Sequence, residues 1–190
     1  MLFRSMKDIR IIQYVATTDY AVFILDNFLD DIYRNKITDI IENETQSDSM
    51  RYRTNVKAAM TSYEKLLSYS ELRPFFNLVA EYLNIILKVR SLSPIKWDYQ
   101  FREAWGIKHL KGEFTAEHAH SPSSWSAVYY PKVPGKSTIF FSDFQAEETI
   151  KENSLYLFPG SVRHKVLKQD YDEPRYSLAM NIYCEFLDWA

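Results

Sequence analysis

The sequence predicts an α+β fold, with helices from its N-terminal half packed on an antiparallel sandwich or jelly roll. A change of hydrophobic period carries that prediction. Up to residue 93 the apolar residues recur mainly at helical spacing, and from Pro94 onward they alternate. Short alternating runs then follow one another, broken by Pro, Gly and polar turns, with no long helical pattern between them. A chain of 190 residues fits one domain. The expected division is a mainly helical support region over 1–93 and a sheet core over 94–190.

Each element has its own signal. Ala21-Val-Phe-Ile-Leu25 is a buried-strand candidate, ended by Asp26-Asn27. Asp30-Asp31 opens a helix that carries Ile32, Tyr33, Ile37, Ile40 and Ile41 at helical spacing. Residues 42–54 are polar and aperiodic, which predicts a surface loop. Pro74 fits the first turn of a second helix, where its missing N–H is no loss, and Phe75, Phe76, Leu78, Val79, Tyr82, Leu83, Ile85, Ile86 and Leu87 keep an apolar face through to Val89. Trp97, Tyr99 and Phe101 then alternate with Asp98, Gln100 and Arg102. Further strands are expected at Trp125–Tyr130, Ser137–Phe141, Ser154–Phe158 and Tyr176–Phe186.

Composition excludes several classes. Lys and Arg number 23 against 25 Asp and Glu, so no basic footprint announces a nucleic acid and no acidic tail dominates. The single cysteine, Cys184, makes neither an intrachain disulfide nor a Cys-built zinc site, and any metal falls to histidines and carboxylates. Arg4, Lys7, Asp8 and Arg10 interrupt the run that a signal peptide needs, and the five apolar residues from Ala21 are too few to span a bilayer. A cytoplasmic protein without a membrane segment is the expectation.

Three of the four histidines occupy special positions. His118 and His120, two apart on an extended segment, project from one face and can chelate one metal ion. His164, 44 residues past His120, can join them only from a partner strand. The alternative is an exposed polar pair before a proline turn, with His164 merely ending a strand. Arg175 and Ser177 share one face of a strand reading Leu-Ala-Met-Asn-Ile-Tyr. A buried arginine is costly unless paired, and its planar fork suits a carboxylate, so a small dicarboxylate beside the metal accounts for both residues. The competing reading pairs Arg175 with Asp172 or Glu173. His109 reads as a structural histidine on a strand. Trp105 and Trp125 read as core residues, with a substrate mouth as the second use, and Arg51, Tyr52, Arg53 and Lys57 as a solvated basic loop.

Taken in order, four segments resemble the iron(II)/2-oxoglutarate-dependent oxygenases, in particular the small prolyl-4-hydroxylase-like oxygenases of marine bacteria and their phages. His118-Ala-His120 stands where that family has His-x-Asp. Ser126-Ala-Val-Tyr129-Tyr130 is similar to its strand with a tyrosine pair. Phe158-Pro-Gly-Ser-Val-Arg-His164 resembles the approach to its distal histidine, and Arg175-Tyr-Ser177 its Arg-x-Ser. The likeness covers roughly residues 97–183 and extends to the N-terminal half loosely, through Thr54–Thr61 and the surrounding helices.

The resemblance implies a double-stranded β-helix, cupin-like, with the N-terminal helices on its major sheet. It implies Fe(II) held by His118, His120 and His164, and 2-oxoglutarate as co-substrate with its far carboxylate on Arg175 and Ser177. Tyr129 would reach the same carboxylate. The implied activity is hydroxylation of an unidentified small molecule or peptide, with succinate and CO2 as co-products. One departure stands out, because His120 occupies the place of an aspartate; Glu117 and Asp143 are the alternative carboxylate donors. A three-histidine metal enzyme that does not use 2-oxoglutarate, and a jelly-roll binding protein without activity, are the competing readings.

Overall fold

The structure is a computed structural model that describes residues 9–13, 21–47, 54–90 and 97–186. The chain opens with β1 (Ile9–Gln13), β2 (Ala21–Leu25) and α1 (Asp31–Ser47). Two short strands follow, β3 (Val56–Lys57) and β4 (Ala59–Met60), and then α2 (Arg73–Arg90). The remainder is β5 (Trp97–His109), β6 (Phe114–His118), β7 (Trp125–Lys132), β8 (Ser137–Phe141), β9 (Ala146–Ile150), β10 (Ser154–Pro159), β11 (His164–Val166) and β12 (Arg175–Phe186).

These strands make two sheets in which every pairing is antiparallel. The larger runs β1-β2-β10-β7-β12-β5-β4 and the smaller β3-β6-β11-β8-β9. The α+β class predicted from periodicity is therefore the class observed.

Strand pleating divides the core in two. Phe23, Leu25, Tyr129, Leu155, Leu157, Leu178 and Met180 face one way and bury Ile37, Ile41, Phe75, Val79 and Leu83 of the helices. Their neighbours Val22, Ile24, Val128, Tyr130, Tyr156, Phe158 and Ala179 face the other way and meet Ile139, Phe141 and Val166 of the smaller sheet. The layers are helices, large sheet and small sheet. No helix among the described residues is long and apolar enough to cross a membrane.

Helix α1 corrects one expectation. Residues 42–47, read as the start of a loop, are its last turns. Glu42 accepts from Lys108 Nζ of β5 at 2.7 Å and from the Tyr176 hydroxyl of β12 at 2.5 Å, while Thr45, itself buried, donates to the Ile41 carbonyl at 2.7 Å. Glu44 pairs with Lys65 at 3.0 Å. Partners distant in sequence thus satisfy polar residues that local reasoning assigns to solvent. Arg51, Tyr52 and Arg53 lie outside the described residues, and Lys57 of the same basic group donates to the Thr54 carbonyl at 2.7 Å.

The helix layer sits close on β5 because Gly106 has no side chain. A Cβ there would stand 3.0 Å from both Cγ1 and Cγ2 of Ile41, which is fully buried and has nowhere to retreat. Gly106→Ala is expected to cost about 1–3 kcal/mol and Ile41→Ala about 2–5 kcal/mol. The two changes act on one contact, so the double variant is expected to lose less than their sum. Urea denaturation of the four proteins checks this, and strictly additive losses would remove the contact from the account.

Candidate active site

Strand register brings the histidines together. β6 and β11 pair with His118 directly opposite His164, and residues so paired project to the same face. Their ring centroids lie 4.4 Å apart. His120 lies two residues beyond β6 and is placed by a turn rather than a ladder. Its N–H donates to the Gly160 carbonyl at 2.7 Å, and its own carbonyl accepts from the Ser123 N–H at 2.9 Å and the Ser123 hydroxyl at 2.7 Å. A Cβ on Gly160 would stand 2.2 Å from the Ser123 carbonyl oxygen, so only glycine lets these loops close.

One potential ligand atom from each imidazole lies within 4.8 Å of the others. Nitrogens that share one tetrahedral ion lie about 3.4 Å apart, so an inward turn of the rings by about an ångström lets a single ion take all three. His118 Nδ1 lies 2.8 Å from the Ala116 carbonyl and His164 Nδ1 3.1 Å from that of Val162. A carbonyl only accepts, so Nδ1 carries the proton in both rings and Nε2 keeps its lone pair. Burial pushes all three below the ordinary imidazole range, His120 to about 3 with His118 adding to the effect. The rings are in the neutral, ligating form at pH 7.

Neither alternative carboxylate is placed to join them. Glu117, next to His118, pairs with Arg163 and accepts from Ser142, and Asp143 accepts from the Arg163 N–H at 2.7 Å. Both are committed to holding the two histidine segments together outside the cavity.

That cavity, of about 300 Å³, lies between the sheets and is lined by the three histidines, Arg175 and Ser177 among others. Arg175 is fully buried, and none of its three guanidinium nitrogens has a hydrogen-bond partner. The pairing with Asp172 or Glu173 does not form; Asp172 takes Lys111 instead, at 3.0 Å. Burial pulls the guanidinium down to about 10, which leaves it charged at neutral pH. A cavity built around an unpaired buried cation is a site for an anion. Its register partner His109 is also buried, with Nε2 3.1 Å from the Thr115 hydroxyl.

Tyr129 is the site residue that the structure removes. It faces the helices, packs 5.4 Å from Phe75 and donates to Asn153 Oδ1 at 2.8 Å. That asparagine also accepts from the Leu29 N–H at 2.9 Å, so Tyr129 helps fix the entry to α1. Adjacent strand residues point to opposite faces, and of this pair it is Tyr130 that lines the cavity, its buried hydroxyl without a partner.

Sequence reasoning also missed the far end of the cavity. Trp105 lines it and stands 5.8 Å from the His120 ring, and Glu103 and Asn181 lie beyond. Trp105 thus serves both uses expected of it, packed in the sheet-side core and lining the cavity. Trp125, by contrast, packs with the helix-side core.

No protein-family model matches the chain, and no curated protein matches it in sequence. Solved structures do match in fold. The viral collagen prolyl hydroxylase vCPH from Paramecium Bursaria Chlorella virus-1, in its 2OG complex, superposes with a TM-score of 0.62 at 12% identity, over 85% of this chain and 94% of that one. A Pseudomonas putida prolyl-4-hydroxylase gives 0.62 at 14% identity, over 87% and 93%. The non-heme alpha ketoglutarate dependent epimerase SnoN from nogalamycin biosynthesis gives 0.67 at 12% identity, over 85% and 76%. The chain therefore shares its fold with iron(II)/2-oxoglutarate oxygenases, in line with the resemblance carried by its motifs.

Proposed function

We propose that the protein is an iron(II)- and 2-oxoglutarate-dependent dioxygenase with a double-stranded β-helix core, acting as a hydroxylase on a small molecule or peptide. The observation that carries this reading is the buried, unpartnered Arg175 in the same cavity as three converging neutral imidazoles. His118, His120 and His164 would hold the metal. Arg175 and Ser177 would take the far carboxylate of 2-oxoglutarate, a fit of planar fork to planar anion. Tyr130 takes the place first given to Tyr129 as the tyrosine on that side of the cavity. When bound, the metal and co-substrate supply oxidative decarboxylation to succinate and CO2 coupled to oxygen transfer. The protein's own part is to orient the ligands through the Ala116 and Val162 carbonyls, to neutralise the anion and to exclude water from it.

The all-histidine donor set favours a second reading, a metal enzyme that uses no 2-oxoglutarate. It gives Arg175 no ligand, so tests on Arg175 separate the two.

His164→Ala is expected to abolish iron(II) binding in anaerobic calorimetry while leaving the far-UV spectrum unchanged. His120→Ala is expected to weaken it, and His120→Asp to retain it by supplying a two-histidine, one-carboxylate set. Unaltered affinity in His164→Ala would take that residue out of the metal site. Equal affinity in both His120 variants and the parent would do the same for His120.

Arg175→Ala is expected to weaken 2-oxoglutarate binding at least about 100-fold, since removing one partner of a buried charge pair costs about 3–5 kcal/mol. Lysine keeps the charge but loses the fork, so Arg175→Lys falls between. Absorbance of the anaerobic iron complex reads the affinity. Full-strength binding by Arg175→Ala, or none by the parent, would overturn the assignment of 2-oxoglutarate as co-substrate.

A further inference from the structure

One wall of the cavity is a two-column ladder with opposite charges at its ends. β12 contributes Arg175, Ser177, Ala179 and Asn181, and the residues paired with them on β5 are His109, Ile107, Trp105 and Glu103. Six residues of extended strand separate the Arg175 rung from the Asn181 rung, about 20 Å. Trp105, one rung from Glu103, stands beside His120, which places that imidazole between the Arg175 and Glu103 ends of the ladder. The end away from Arg175 is therefore the part of the cavity left for a second molecule.

That end is chemically distinct. Among the described residues Glu103 is the one carboxylate lining the cavity, and no cation pairs with it. It is held in place instead, since Asn181 Nδ2 donates to Glu103 Oε2 and the Ser126 hydroxyl fixes Asn181 by donating to its Oδ1 at 3.3 Å. Arg102, the adjacent cation, is taken up elsewhere: it bonds Glu185 at 2.8 Å and Gln100 at 2.9 Å and lies 4.5 Å above the Tyr183 ring. An independent feature of the same wall also asks for a ligand. Trp105 is buried against Tyr63 at 5.2 Å, and its Nε1–H has no acceptor. A fixed carboxylate two residues along the strand from an orphaned donor suits a molecule that presents a donating cation and, within reach of it, an accepting oxygen.

We infer that the substrate is a protonated amine bearing a neighbouring oxygen, with the ammonium on Glu103 and the oxygen on Trp105. This rests on the oxygenase reading for the position of the reacting centre and names the substrate class for that site. Anionic molecules are directed away from Glu103 and towards Arg175, which separates co-substrate from substrate by charge.

The test uses the full chain loaded with manganese(II) and 2-oxoglutarate, so that binding is read without turnover. Free α-amino acids and amino sugars are titrated by calorimetry beside their N-acetyl counterparts. At least one amine is expected to bind and its N-acetyl form to fail. Glu103→Gln is expected to weaken that amine by about 10- to 100-fold, the range for a charged hydrogen bond, with 2-oxoglutarate affinity unchanged. Asn181→Ala, which frees the carboxylate without removing it, is expected to weaken the amine less. Equal binding of amine and N-acetyl form, equal binding by Glu103→Gln and the parent, or no amine binding at all would overturn the inference while metal-dependent 2-oxoglutarate binding stood. Loss of that binding in the parent would instead strike at the oxygenase reading beneath it.

Discussion

Strand β12 is paired along both edges, with β5 on one side and β7 on the other, so the pleat alone decides where its side chains go. Tyr176, Leu178, Met180 and Ile182 enter the core under the helices, and Arg175, Ser177, Ala179, Asn181 and Tyr183 line the cavity. A one-residue slip would exchange the two sets, burying a guanidinium among leucines and opening the helix layer to solvent. The register is therefore fixed by the apolar set, and the functional set is carried with it. Stability and site share one strand, and neither can be changed by sliding it.

Such an arrangement holds a charge where folding alone would not put one. Removing an arginine from water without a counter-ion costs several kcal/mol, and Arg175 recovers none of this from hydrogen bonds within the described protein. The helix-side core, from Phe23 and Leu25 through Ile41 to Leu83, is extensive enough to offset that cost. The Tyr130 hydroxyl, also without a partner, lies on the same side; burial pushes it up to about 12, so it stays neutral and able to donate. The unmet hydrogen bonds of Arg175, which only donates, and of Tyr130 suit a ligand that presents acceptors.

What local sequence could reveal follows from the range of each interaction. Period-two patterning reports which residues share a face, so Arg175 with Ser177 was legible, as was the change from helix to strand near Pro94. It does not report which of the two faces is the cavity. Tyr129 and Tyr130 are equivalent to a pattern, and only the packing of Phe28 and Phe75 on Tyr129 separates them. The end of α1 was missed for a related reason, because Glu42 and Glu44 are satisfied by Lys108, Tyr176 and Lys65, none of them local. The short strands β3, β4, β6, β9 and β11 carry too few alternations to stand out, although β6 and β11 set the histidine pair. Glu103 gave no signal, being one acidic residue in a strand with Asp98 and Arg102; its meaning comes from Asn181, 78 residues away.

The three imidazoles are not held in the same way, and the difference bears on the departure from the His-x-Asp pattern. His118 and His164 are fixed by the β6–β11 register and by the Glu117–Arg163 pair on the outside of the same strands. Moving either would require the ladder to shift. His120 is fixed by backbone bonds with Gly160 and Ser123, which act on its main chain and leave the side chain packed against the rings of His118, His164 and Trp105. A turn clamped at the backbone sets where a side chain begins without dictating what it is. The backbone clamp thus leaves the side chain at this position free of the ladder, and a His120→Asp exchange would alter the charge of the proposed donor set by one unit.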